Sequence, residues 1–223
     1  MSRLAHIAAA PGLALLVAAS PAAAQTPDGQ RRLTDRQAAQ ELAIYAQCIA
    51  SQRADRARAL ALAPYGSAEQ DKAAANVVRG IDDTCLQSGF DSVRVSVRPD
   101  VLAGAVAKEL LHKEYPDLPA VVDRRSVDIE AERQRAAQLS VPERFGRCVV
   151  WNDPGGVSAL LSAEPGSGQE RLAVESLKDD LGICLEEGST VRLDRSFVRA
   201  IAAVSAYRLA QHIRPRSRGV ERG

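Results

Sequence analysis

Four cysteines, Cys48, Cys85, Cys148 and Cys184, are the residues of this chain best equipped for chemistry. Thiols hold metals, cycle between oxidation states or close disulfides. Metal and redox sites gather their sulfurs in close pairs such as Cys-x-x-Cys, and no such pair occurs here. Four cysteines allow three pairings, and their spacing selects one of them. Tyr65-Gly66 lies midway between Cys48 and Cys85, and Gly166 lies midway between Cys148 and Cys184. If each stretch folds back as two helices of equal rise, its cysteines come opposite each other. They then fall within the roughly 4.4–6.8 Å between Cα atoms that a bridge needs. The expected bridges are Cys48–Cys85 and Cys148–Cys184. Each closes a loop worth roughly 3–4 kcal/mol in the chain-entropy model.

Other reactive groups are less suggestive. His112 and His212 are each expected near the end of a helix, facing water and the negative end of the dipole. Asp82-Asp83, Asp179-Asp180 and Glu186-Glu187 are carboxylate pairs of a type that can serve acid–base chemistry. Adjacent residues on a helix do not face each other, so a solvated surface is the simpler reading. Ser67 and Ser167 read as helix caps. No serine sits in a nucleophile elbow and no glycine-rich phosphate loop is present. No catalytic residue, metal ligand or cofactor is assigned. Trp151, the single tryptophan, stands beside Asn152-Asp153-Pro154-Gly155-Gly156 and is the candidate contact residue for a ligand or partner. Packing over the disulfide is its competing role.

These residues are carried by a sequence that repeats itself. Tyr45-Ala46-Gln47-Cys48 matches Phe145-Gly146-Arg147-Cys148, Gly66-Ser67 matches Gly166-Ser167, and Cys85-Leu86 with Gly89 matches Cys184-Leu185 with Gly188. The pattern predicts an all-α chain of two tandem helical-hairpin repeats, each with one disulfide and a third helix. Capping boxes are expected at Thr34/Gln37, Ser67/Gln70, Ser140/Glu143 and Ser167/Glu170. The first helix should run unbroken to Pro64, whereas Asp153-Pro154-Gly155-Gly156 should break its counterpart. The return helices should run to Gly89 and Gly188. Pro99 and Asp194 open the third helices. Val93 to Val97 and Val191 to Leu193 alternate like short strands and are expected to pair between the repeats.

The repeats are expected at 34–115 and 140–212. A linker occupies 25–33, a connector 116–139 with an exposed charged helix from Ser126 to Leu139, and a disordered tail 213–223. Residues 1–24 have the order of a secretory signal peptide: Arg3, an apolar run from Ile7 to Ala19, and an Ala-x-Ala site ending at Ala24. Later apolar runs are too short to span a bilayer. Export to the periplasm or the medium agrees with paired cysteines. Lysine occurs only at Lys72, Lys108, Lys113 and Lys178 among many arginines, pointing to a GC-rich bacterial genome. Removing Arg3 takes the formal charge from +1 to near zero, which argues against nucleic-acid binding.

The leader followed by aromatic-x-x-Cys at Tyr45 to Cys48 and Phe145 to Cys148, with a second cysteine and glycine, resembles uncharacterised exported proteins of alphaproteobacteria. The stretch from Phe145 to Cys184 resembles them most, and the resemblance implies export and paired cysteines. The functional expectation is an exported, non-enzymatic helical protein with a protein or envelope partner. Two other classes compete with it. One is a cell-envelope hydrolase using Glu186 or Asp153 near Trp151, which needs two carboxyl groups roughly 5–9.5 Å apart. The other is a small-ligand binder with its site between the repeats.

Overall fold

Eleven helices make up the secondary structure among the described residues, 33–79, 85, 97–122, 129–189 and 193–213 of a computed structural model. In order they are α1 (Asp35–Gln52), α2 (Ala54–Leu62), α3 (Ala68–Val78), α4 (Pro99–Glu114), α5 (Leu118–Val121), α6 (Ile129–Ala136), α7 (Val141–Asn152), α8 (Pro154–Ser162), α9 (Gly168–Ser176), α10 (Lys178–Ile183) and α11 (Arg195–Ile213). Both bridges form as expected, with Cα separations of 5.7 Å for Cys48–Cys85 and 5.6 Å for Cys148–Cys184. The leader, Gly89, the tail from 214 and all of the two strand-like segments except Val97 and Leu193 lie outside the described residues. Val97 and Leu193 are not in a strand.

The caps form largely as their sequences direct. Thr34 Oγ1 accepts from the Gln37 amide at 3.3 Å, and the Gln37 side chain accepts from the Thr34 amide at 3.0 Å. Ser140 and Glu143 form the same reciprocal box. At Ser67 and Ser167 half of the box is redirected. Each hydroxyl accepts from the amide three residues on, but the Gln70 and Glu170 side chains accept from the Gly66 and Gly166 amides, at 2.9 and 2.8 Å. Gly66 and Gly166 have φ of 71° and 74°. Only glycine takes that conformation without steric cost, and it aims the amide inward. Asp194 caps α11 by accepting from the Phe197 amide at 2.8 Å.

Three expectations are corrected. The first helix does not run unbroken to Pro64: it ends at Arg53 (φ −135°, ψ 47°), and the counterpart break falls at Asp153 (φ −135°, ψ 77°). Asp153 supports its break with a side-chain cap on Gly156, whereas Arg53 makes no such bond. The first break comes from packing, because bending there lays Ala57, Leu60 and Ala61 against the core. The return helices are also shorter. α3 ends at Val78, and the α9–α10 run is interrupted at Leu177 and ends at Ile183, before Gly188. Leu185 bonds back to Gly182 at 3.3 Å, a tighter turn placed beside the disulfide. Finally, the connector is partly buried. Glu132 of α6 is 7% exposed and paired with Arg135 and Arg147.

Helices α4 and α11 form the centre of the described residues, which make one compact unit. Gly104 packs on Ala200, where a Cβ would come 2.3 Å from the Ala200 Cα, and Glu114 accepts from Tyr207 and Gln211 at the other end. The two helices therefore run parallel. Gly146 lets α7 approach α11 as closely, against Ile201 and Ser205. α1 and α2 pack on α4, and α7 and α8 pack on α11. Glu114 also accepts from Arg58 of α2 at 2.9 Å. Burial and the neighbouring Glu114 push the Tyr207 hydroxyl up to about 12.

Candidate functional site

The ends of α2 and α8 leave backbone carbonyls without helical partners, and each must find a donor. Helix α11 supplies both sets. Arg208 donates to the carbonyls of Ala61, at 2.9 Å, and Ala63, and to the Glu143 carboxylate. Arg199 donates to the carbonyls of Leu160 (2.9 Å), Leu161 (3.1 Å) and Ala163 (2.9 Å), and to Glu170 at 3.0 Å. A guanidinium offers five donors in a planar fork, which suits a turn presenting several acceptors at once. Two turns one hundred residues apart are thus held by two arginines of one helix.

Around the first turn the packing is closed. Glu143 accepts from the Tyr65 amide at 2.9 Å and from the Ser140 amide and hydroxyl at 3.0 and 2.7 Å. Burial alone would raise its pKa. The Tyr65 amide, the Ser140 groups and the Arg208 charge outweigh burial and hold the carboxyl below its usual range. Tyr65 meets Phe197 edge-on and Phe145 stacks on Phe197, with centroids 6.2 Å apart in both pairs. The Tyr65 hydroxyl donates to Asp100 at 2.8 Å. Rings and a paired carboxylate fill the space between α7, α11 and the turn.

Around the second turn the same place is open. The residue one hundred before Glu143 is Ala43, and the residue one hundred after Tyr65 is Pro165. Phe197 is the third residue of α11, and Val101 is the third of α4. Ala43, Pro165 and Val101 all line a cleft of about 690 Å³ between α1, α4, α11 and the α8–α9 turn. Its floor is apolar, with Ala39, Leu42, Gly104, Ala105 and Ala200 among the lining. The charges along it are mostly matched. Arg199 pairs with Glu170, Lys108 with Glu109 at 2.7 Å, and Arg36 with Glu164 at 3.5 Å. Asp35 sits in the first turn of α1, where the helix dipole favours an acid. Arg195, the first residue of α11, is exposed, and among the described residues no carboxylate pairs with it. A cation at that end of a helix is opposed by the dipole.

The sequence-level candidates gather elsewhere and do not converge. Trp151 is half-buried and packs on the core, lining a smaller pocket of about 350 Å³ with Glu132, Arg144, Arg147, Cys148 and Asn152. Neither Asp153 nor Glu186 lines it. Asp153 caps α8 at 2.7 Å from the Gly156 amide, and Glu186 is an exposed partner of Arg144. The carboxylate in that pocket is Glu132, and each of its oxygens is taken by an arginine. His112 and His212 are exposed in the last turns of α4 and α11. Partial burial, with Arg135 and Arg208 nearby, lowers the pKa of His212.

Sequence reasoning missed Arg199 and Arg208 and read Glu143 only as a cap partner. The two lie nine residues apart, on opposite sides of a helix that is apolar nearly all round, so no one-faced pattern marks them. Among the described residues no group of three or more histidines, cysteines and carboxylates could hold a metal ion, and no helix is long and apolar enough to cross a membrane. Comparison of the chain with protein-family models, curated proteins and solved structures gives no match to any of them.

Proposed function

We propose that this is an exported, non-enzymatic binding protein built from a duplicated helical-hairpin unit, and that the cleft between its two halves receives the ligand. The observation that carries the reading is the contrast between the two turns. The first is packed shut by Tyr65, Phe197 and Glu143, whereas Pro165, Val101 and Ala43 leave about 690 Å³ at the second. Small-molecule sites have this size and an apolar lining with a few polar groups. Apolar surface left open to water beside a close-packed counterpart is surface that a ligand gains by covering.

The duplication is supported by helix bounds that recur one hundred residues apart, Ala54–Leu62 and Pro154–Ser162, and by the matched glycine turns and bridges. Export is supported by the leader-like residues 1–24 and by a chain with two bridges and no free cysteine. N-terminal sequencing of the protein recovered outside the cytoplasm should begin at or near Gln25. Retention of Met1 on a protein found in the cytosol would refute export.

Binding is tested by methyl NMR of the oxidised protein against fractionated small molecules from the medium and periplasm of the producing cells. A fraction should shift the methyls of Ala39, Leu42, Val101 and Ala105 while leaving Val149 and Leu160 in place. If no fraction moves the cleft methyls, the binding reading is wrong.

A further inference from the structure

The cleft has a filled counterpart in the same molecule, and the filling indicates what an occupant should look like. At the first turn the space is taken by the rings of Tyr65 and Phe197 and by one carboxylate, Glu143, that meets an arginine of α11. Each of the three has a smaller, uncharged counterpart at the second turn, Pro165, Val101 and Ala43, and all three line the cleft. The volume removed is therefore that of flat apolar groups and one carboxylate. Three cations of the lining are paired: Arg199 with Glu170 and Lys108 with Glu109 within the cleft, and Arg36 with the exposed Glu164 outside it. Two exposed charges on the lining have no ion-pair partner among the described residues, Asp35 in the first turn of α1 and Arg195 in the first turn of α11, and at both places the dipole adds positive potential. The dipole of α1 offsets part of the Asp35 charge whereas that of α11 adds to the Arg195 charge, so the guanidinium is the less satisfied of the two.

We propose that the ligand is a small carboxylate with a flat or branched apolar body, its body against Ala39, Leu42, Val101 and Ala105 and its carboxylate on Arg195. This rests on the cleft being a binding site and adds the chemical class of the ligand. Guanidinium and carboxylate pair through two parallel hydrogen bonds, so an acid is distinguished from an alcohol or an amine of the same shape. The mouth is open to water and screens the pair, which sets the expected preference at about fivefold.

Three probes of one shape test this on the oxidised protein: 3-phenylpropanoate, 3-phenylpropanol and 3-phenylpropylamine, titrated while the cleft methyls are followed by NMR. The acid should bind about fivefold tighter than the alcohol, and the amine more weakly than both. The preference should vanish in Arg195→Gln and shrink when salt is raised. Arg195 is exposed, so the variant should keep its fold, and the salt series gives the same answer without a substitution. If the alcohol or the amine binds as tightly as the acid, the carboxylate assignment is overturned while the binding cleft stands. If none of the three moves the cleft methyls, the ligand class is overturned, and the fraction screen alone decides whether the cleft binds.

Discussion

The two turns, at Gly66 and Gly166, share a backbone conformation, a serine cap, a redirected side chain at the following turn of helix and an arginine from α11. They differ in what stands beside them. Tyr65, Phe197 and Glu143 close one side, and Pro165, Val101 and Ala43 leave the other open. A scaffold can thus present the same polar skeleton twice, packing one copy shut and leaving the other open. The charge partner has moved as well. Arg199 uses Glu170 of its own turn, whereas position 70 is a neutral, fully buried glutamine and Arg208 takes its carboxylate from α7. Glu143 therefore ties the second half of the chain to the turn of the first. On the open side Arg36 and Gln40 of α1 reach Glu164, and the Arg36 and Glu164 side chains are more than half exposed.

The comparison is broken most forcefully on its closed side. Arg208→Ala leaves Glu143 buried without its charge and strands the carbonyls of Ala61 and Ala63, a loss of about 3–5 kcal/mol. Phe197→Ala should cost a similar amount by opening a cavity between two rings. Urea denaturation measures both, and a loss below about 1 kcal/mol for either would show that the closed side is not what holds the halves together. The same site sets an acid limb. The folded-state pKa of Glu143 is depressed, so its contribution is present above the unfolded carboxylate value and is lost as pH falls through the folded one. Glu143→Gln should flatten that part of the stability profile.

Gly104→Ala tests the contact common to both sides. Its new Cβ would overlap Ala200, and α4 and α11 would have to part, at about 1–3 kcal/mol. An unchanged melting temperature would mean that the close approach is dispensable. Val101→Phe sharpens the contrast from the open side. A ring placed where Phe197 stands on the other flank should fill the cleft, gaining about 0.5–2 kcal/mol while abolishing binding of 3-phenylpropanoate. Binding at unchanged affinity in that variant would place the probe elsewhere.

The smallest effect concerns His212. Its folded-state pKa lies below the ordinary value, through partial burial and then Arg135 and Arg208. The unfolded chain takes up the proton first, so stability should fall slightly as pH drops through the ordinary histidine pKa. His212→Gln should remove that shallow slope, and NMR titration of the His212 imidazole checks the direction of its shift directly.

Features set within a few residues, or by the count of residues along a helix, were legible in the sequence. The four caps, the Pro99 and Asp194 helix starts and the glycine turns follow from local backbone chemistry. The bridge pairing followed from equal spacing about each turn. Features depending on which surfaces meet were not legible. The break at Arg53 has no local cause and answers to the packing of α2. Glu132 looks like a solvated helix residue until Arg147 of α7 arrives beside it. Arg199 and Arg208 are two arginines among many in the sequence. Only folding brings them to carbonyls stranded at the ends of other helices, because a backbone acceptor buried away from water must be met by whatever donor the tertiary structure delivers. The cleft is of the same kind. No residue lining it is unusual in itself, and its volume exists because small side chains from α1, α4 and the second turn meet at one place, a coincidence in space that chain order does not contain.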